Sequence, residues 1–98
     1  MPFRPKNAPK PGRPKGYSSL DEGIAKVFGK TAKVKRLEIG LSQEALALET
    51  GIERSYISRL ERGLSQPTLL ALLKLAKGLK CESWELLVPV EKVFRRRR

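Results

Sequence analysis

Gln43-Glu-Ala-Leu-Ala-Leu-Glu-Thr-Gly-Ile-Glu-Arg-Ser-Tyr-Ile-Ser-Arg-Leu-Glu-Arg62 is the stretch that decides the fold. It reads as two short helices that cross steeply through a very short turn. Such a crossing needs a small side chain at the contact, and Ala47 supplies it. The turn needs a residue at ease with positive φ, which Gly51 provides. The inner faces must be apolar, and Leu46, Ile52, Ile57 and Leu60 fall at those positions. The outer face of the second helix is left with Arg54, Ser55, Ser58 and Arg59, free to enter a major groove.

The flanks extend this pattern into an all-α chain of five short helices. Ser42 can cap the helix that runs from Gln43 to about Thr50, and Gly51 ends it. The next helix occupies roughly 53–62 and stops at Gly63. Pro67 and Thr68 open a fourth, with Leu69, Leu72, Leu73, Ala76 and Leu79 as its expected buried side. Ser83 can cap a short fifth helix through Trp84, Leu86 and Leu87, limited by Pro89. Upstream, Ser19 and Glu22 fit a capping box. Leu20, Ile24, Val27, Phe28, Val34 and Leu37 then follow at helical spacing. Gly23 and Gly29 each weaken this first helix by ~1 kcal/mol relative to Ala, which allows a break near Gly29. Gly40 is its expected stop. Only Val90–Phe94 has the composition of an extended segment.

The net charge of +11 sits mainly at the two ends. Residues 1–16 hold five Lys/Arg and no acid, together with five of the seven prolines. Residues 95–98 are four arginines, whereas 17–94 nearly balance, with twelve basic and ten acidic residues. A balanced fold with basic ends suits a polyanionic partner such as DNA, RNA or an anionic surface, or serves solubility alone. We divide the chain accordingly. Residues 1–18 are expected to form a disordered basic arm, 19–88 the folded domain around the two crossing helices, and 89–98 an extension with an arginine tail and the expected dimer contact.

Other classes of function have little support. No apolar run approaches the ~20 residues that span a bilayer, so no membrane partner is expected. The N-terminus is basic and proline-rich, unlike a secretory signal. Cys81 is the single cysteine, which fits a reducing cytoplasm. There is no histidine, no Cys/His metal spacing and no phosphate-binding glycine loop. No cofactor is therefore expected, and an enzyme is disfavoured.

The ordered set Leu41-Ser42-Gln43, Leu46-Ala47, Thr50-Gly51, Ile57-Ser58-Arg59-Leu60-Glu61-Arg62-Gly63, Pro67 and Leu75-Ala76 with Leu79 resembles the lambda-repressor-like, Xre-type helix-turn-helix proteins. The resemblance covers about Phe28 to Leu87. Tyr56-Ile57-Ser58 with Glu61-Arg62-Gly63 is also similar to small controllers of restriction-modification systems. The resemblance implies double-stranded DNA as partner, with Arg54, Ser55, Ser58 and Arg59 at base-contacting positions. It implies backbone contacts from Ser42, Gln43, Tyr56, Arg62, Ser65 and Gln66, with Gln43 also bracing the recognition helix. It further implies an ion pair between Arg36 and Glu61 that locks two helices together.

Pro11-Gly12-Arg13-Pro14-Lys15-Gly16 resembles part of an AT-hook, although a full hook has arginine on both sides of the glycine. Arg13 and Lys15 are either minor-groove readers or a nonspecific tether. One helix-turn-helix unit buries little surface, so a homodimer on a pseudo-palindrome is expected, with Val90, Val93 and Phe94 as the contact. The expected function is a cytoplasmic, nucleoid-associated transcription regulator of bacterial or phage type, acting as a repressor. The alternatives are an antitoxin that binds a toxin and represses its own operon, a restriction-modification controller, and an RNA-binding basic protein.

Overall fold

The first helix starts on Asp21 rather than Ser19. In the computed structural model, which describes residues 19–97, α1 spans Glu22–Glu38. Asp21 Oδ1 accepts the Ile24 N–H at 3.1 Å. The Ser19 carbonyl instead accepts from the Gln66 side chain, which keeps the chain outside the helix until Asp21. α1 then continues without a break through Gly29, and Gly40 follows its end at φ +77°.

α2 (Gln43–Thr50) and α3 (Arg54–Glu61) follow. Ser42 caps α2 as expected, its Oγ accepting the Ala45 N–H at 3.0 Å. α4 (Leu69–Gly78) is capped by Thr68, whose Oγ1 accepts from the Ala71 N–H. Its buried side is Ala71, Leu72, Leu75, Ala76 and Leu79, while Leu69 and Leu73 are exposed. The buried face is therefore rotated from the expected one. The run Leu-Leu-Ala-Leu-Leu-Lys-Leu-Ala puts leucine on almost every side, so spacing alone does not choose which side packs.

α5 (Ser83–Arg95) departs most from expectation. Glu82 is the N-cap, and it forms a reciprocal capping box with Glu85. Pro89 does not end the helix, and Val90–Phe94 is helical rather than extended. A proline inside a helix costs ~3 kcal/mol. Packing on both sides of it offsets that cost: Leu86 is fully buried before it, and Val90 lies against the core after it.

α1 and α5 lie side by side and antiparallel. Lys35 of α1 pairs with Glu85 of α5 at 3.0 Å near one end, and Asp21 pairs with Arg97 at the other. The core gathers Phe28, Leu46, Ile57, Leu60, Leu75, Leu79 and Leu86, each almost fully removed from water. Every described helix contributes at least one of these side chains. Among the described residues there is no strand, and no helix is long and apolar enough to cross a membrane.

Candidate nucleic-acid interface

The turn between α2 and α3 is closed by its own hydrogen bonds. Gly51 adopts φ +75°, and its N–H donates to the Ala47 carbonyl at 2.9 Å. Thr50 Oγ1 donates to the Leu46 carbonyl and accepts the Ile52 N–H. Ala47 is half-buried against the core, at the crossing. The turn therefore needs no bulky filler, and Leu46, Ile52, Ile57 and Leu60 are all buried beneath it.

Burying Ile57 and Leu60 fixes the rotation of α3. Arg54, Ser55 and Arg59 are consequently exposed together, with Ser58 half-buried beside them. The structure thus brings all four expected base-contacting residues to one face. Ser42, at the start of α2, and Arg62, at the end of α3, are also exposed. The Arg62 guanidinium folds back to the Ser58 carbonyl at 3.4 Å.

A buried ion pair orients α3 against α1. Arg36 donates from Nε to Glu61 Oε2 at 2.7 Å and from Nη2 to Oε1 at 2.8 Å. Its Nη1 donates to the Leu41 carbonyl at 2.8 Å. Gln43 Nε2 adds a donor to Glu61 Oε1 at 3.0 Å, so the first residue of α2 braces the last residue of α3. Burial pushes the Glu61 carboxyl up, but the hydrogen bonds from Arg36 and Gln43 outweigh it and hold the carboxyl below its ordinary range. The Glu61 hydrogen bond raises Arg36 in turn, against its desolvation. Each buried charge is satisfied, as such a pair requires.

The loop after α3 is tied both to α3 and to the start of the fold. The Arg59 guanidinium lies 5.7 Å from the Tyr56 ring centroid, and its Nε donates to Ser65 Oγ at 3.2 Å. The Tyr56 hydroxyl donates to the Gln66 carbonyl at 3.2 Å. Gln66 uses both ends of its amide: Oε1 accepts the Asp21 N–H, and Nε2 donates to the Ser19 carbonyl. The family resemblance puts Tyr56 and Gln66 at a DNA backbone. Here their polar groups hold the loop and the start of α1.

These tethers escape sequence reasoning. Asp21 is a good capping residue type lying two positions beyond Ser19, and that is an available signal. Gln66 gives none, because its partners lie 45 and 47 residues away. At the expected dimer contact, Val90 packs partly into the core, Val93 is half-buried and Phe94 is exposed. Arg13 and Lys15, with the whole arm 1–18, lie outside the described residues.

Comparison with known proteins agrees with this geometry. Residues 33–85 match the helix-turn-helix family model HTH_3. The uncharacterized HTH-type transcriptional regulator y4dJ of Sinorhizobium fredii is 36% identical over 68 residues, covering 69% of this chain and 88% of that protein. The HTH-type transcriptional regulator SutR of Escherichia coli is 36% identical over 58 residues, covering 59% of this chain but 33% of its own length. Among solved structures, the restriction-modification controller protein C.AhdI from Aeromonas hydrophila has 41% identity and a TM-score of 0.64. The match covers 65% of this chain and 97% of that one.

Proposed function

Because the chain belongs to the helix-turn-helix family HTH_3 and is a DNA-binding transcriptional regulator rather than an enzyme, we propose that it acts as a homodimeric repressor on a pseudo-palindromic operator. The observation that carries this reading is the division of α3. Ile57 and Leu60 are buried while Arg54, Ser55 and Arg59 stand exposed on the opposite side.

Inserted in a major groove, that face has the donors to read base edges. An arginine can give two parallel hydrogen bonds to guanine O6 and N7, worth ~1–3 kcal/mol of discrimination. Arg54 needs no rearrangement for this, whereas Arg59 must leave Ser65 and the Tyr56 ring. Ser55 and Ser58 supply shorter donors. Ser42, Gln43, Arg62 and Ser65 surround the face and set its register through phosphates. Gln43 keeps one amide hydrogen for this while its other donor braces Glu61.

The dimer contact is a face shared by α4 and α5. Leu69, Leu72, Leu87 and Val90 line a groove that α4 and α5 share with Ile24 and Phe28 of α1 and the loop 66–68. Leu73 and Phe94, 50% and 62% exposed, extend the apolar surface along the same two helices. A second copy covering it buries leucines that otherwise face water, and two-fold symmetry places two α3 helices in grooves ~34 Å apart. Occupying the operator then excludes polymerase. The 41% identity with C.AhdI favours a controller of restriction-modification genes as a second reading.

Selection of bound sequences from a random duplex pool tests the proposal. Enrichment of a two-fold motif is expected. Binding with no motif, tracking salt alone, would remove specific operator recognition, and co-purification of a small protein partner would then favour toxin neutralisation.

A further inference from the structure

α3 spans Arg54–Glu61, eight residues and so ~12 Å of helix. The major groove is about as wide, ~12 Å. A recognition helix that reads bases from its first turns therefore brings its last turn to the groove wall, where the phosphates stand.

α1 passes directly against that end of α3. A Cβ built on Gly63 would stand 2.8 Å from Lys26 Cγ and 3.1 Å from Lys26 Cα. Lys33 is near enough that its charge helps to hold the Glu61 carboxyl down. Between these two points Arg62 is exposed. Lys26, Lys30 and Lys33 are exposed as well, and at 3.6 residues per turn they fall within ~60° of arc on α1. They make a cationic stripe ~10 Å long that runs beside residues 61–63. Leu37 continues the same arc with an apolar side chain, 57% exposed, so the stripe ends at Lys33.

Among the described residues, no ion pair engages any of these three lysines. The acids around them are few. Glu61 is held by Arg36 and Gln43, Glu22 lies one turn before Lys26, and Glu38 lines a groove with Lys30 and Lys35 on the side away from α3. Lys35 faces α5 and is paired with Glu85. The lysines of α1 thus divide: the one toward α5 is neutralised, and the three beside α3 keep their charge for something outside the fold.

We propose that Lys26, Lys30 and Lys33 form a phosphate-binding site that clamps one strand of the operator at the groove wall, beyond the C-terminal end of α3. The site rests on the operator-binding reading above and adds a contact outside the α2–turn–α3 unit. Lys26 and Lys30 also lie before residue 33, where the family match begins. A lysine ammonium is a compact charge on a flexible stem, suited to a phosphate oxygen and indifferent to the base behind it. The clamp therefore adds affinity and salt dependence, while the choice of sequence stays with α3.

Three full-length variants test this against the unmodified protein on its selected operator. The first carries Lys26→Gln, Lys30→Gln and Lys33→Gln. The second carries Lys26→Arg, Lys30→Arg and Lys33→Arg. The third removes three exposed charges elsewhere, with Lys74→Gln and Lys77→Gln on α4 and Lys92→Gln on α5. Affinity is measured from ~50 to ~200 mM salt, with a hydroxyl-radical footprint and a thermal melt of each. All three are expected to melt near the parent temperature and to keep the preferred sequence. In the first, the slope of log affinity against log salt should fall by about 0.9 for each phosphate released. Protection should also disappear from one patch of backbone in each half-site. The arginine variant should retain both the slope and the patch, as should the variant on α4 and α5. A first variant with the parent's slope and footprint overturns the proposal. So does an equal fall in slope in the third, which would mean that net charge alone is at work. Weaker binding to an RNA hairpin with unchanged duplex binding overturns it too. Failure of the operator reading itself shows earlier and separately, as an unmodified protein with no preferred sequence.

Discussion

A Cβ built on Gly29 would stand 2.1 Å from the Leu60 carbonyl oxygen. It would also lie 2.9 Å from the Glu61 carbonyl, so the obstacle is the backbone of α3 and not a movable side chain. α1 and α3 approach this closely only because position 29 has no side chain. By helix propensity alone, Gly29→Ala should stabilise α1 by ~1 kcal/mol. We expect the reverse, a loss of ~2 kcal/mol or more, because the two helices must separate and reopen the core around Phe28 and Leu60. At Gly23 a Cβ meets the Arg97 guanidinium, which can swing aside, so Gly23→Ala should cost little. Thermal melting of the two variants decides it, and equal stability would contradict the close approach.

The Arg36–Glu61 pair predicts a specific acid sensitivity. The folded Glu61 carboxyl lies below its ordinary value of 4.5. Its contribution to stability is complete above pH ~4.5 and is lost as the pH falls toward the folded value. Asp21, at about 2 against an ordinary 3.8, acts in the same direction lower down. Glu61→Gln removes the buried negative charge while keeping the side chain's shape. It should lower stability at neutral pH by ~3–5 kcal/mol, because Arg36 is left buried without its counter-ion. It should also flatten the pH dependence just below 4.5. Denaturant unfolding at pH 7 and pH 4 measures both effects. A variant as stable as the parent at pH 7 would mean that the pair is solvated.

These two sites show how unevenly the sequence discloses the fold. The α2–turn–α3 unit is legible because its determinants lie within a few residues of one another. Ala47, Gly51 and the apolar positions around them leave one arrangement that buries Ile57 and Leu60. The ends of the chain are not legible in this way. Whether Pro89 stops α5 depends on what Val90 and Arg97 find beyond it, and those partners belong to α1 and the distant core. Gly29 reads as a weak point because its compensating neighbour, Leu60, is 31 residues away. The exposed face of α3 follows from periodicity, but the engagement of Arg59 with Tyr56 and Ser65 depends on a loop whose path only the fold determines.

Arg54 and Arg62 should separate base reading from phosphate binding. Both are exposed, but Arg54 opens α3 while Arg62 sits past its end with its guanidinium at the Ser58 carbonyl. Arg54→Ala should cost ~1–3 kcal/mol on the preferred operator and relax selectivity at one base pair in each half-site. Arg62→Ala should weaken all duplexes nearly equally and reduce the salt slope by ~1 per site. Affinities over a set of single-base operator changes distinguish the two. Uniform weakening by Arg54→Ala would move base recognition elsewhere on α3.

Phe94 and Val90 are four residues apart on α5 yet differ in environment, which makes the dimer face testable. Phe94 is 62% exposed, whereas Val90 packs against the core and lines the groove with Leu69 and Leu87. A charge at Phe94 stays largely in solvent in the monomer, so Phe94→Glu should melt close to the parent temperature. Across a two-fold contact the same change places one carboxylate from each subunit in an apolar seam, with no partner for either. Sedimentation should therefore show a shift to monomer, and operator affinity should fall at least tenfold because each subunit must then bind its half-site alone. Leu73→Glu, on the α4 side of the same face, should behave alike. Val90→Glu should instead lose folded structure, since it buries a charge within the subunit. A Phe94→Glu protein that remains dimeric and binds its operator normally would place the two-fold contact on a surface other than the α4–α5 face.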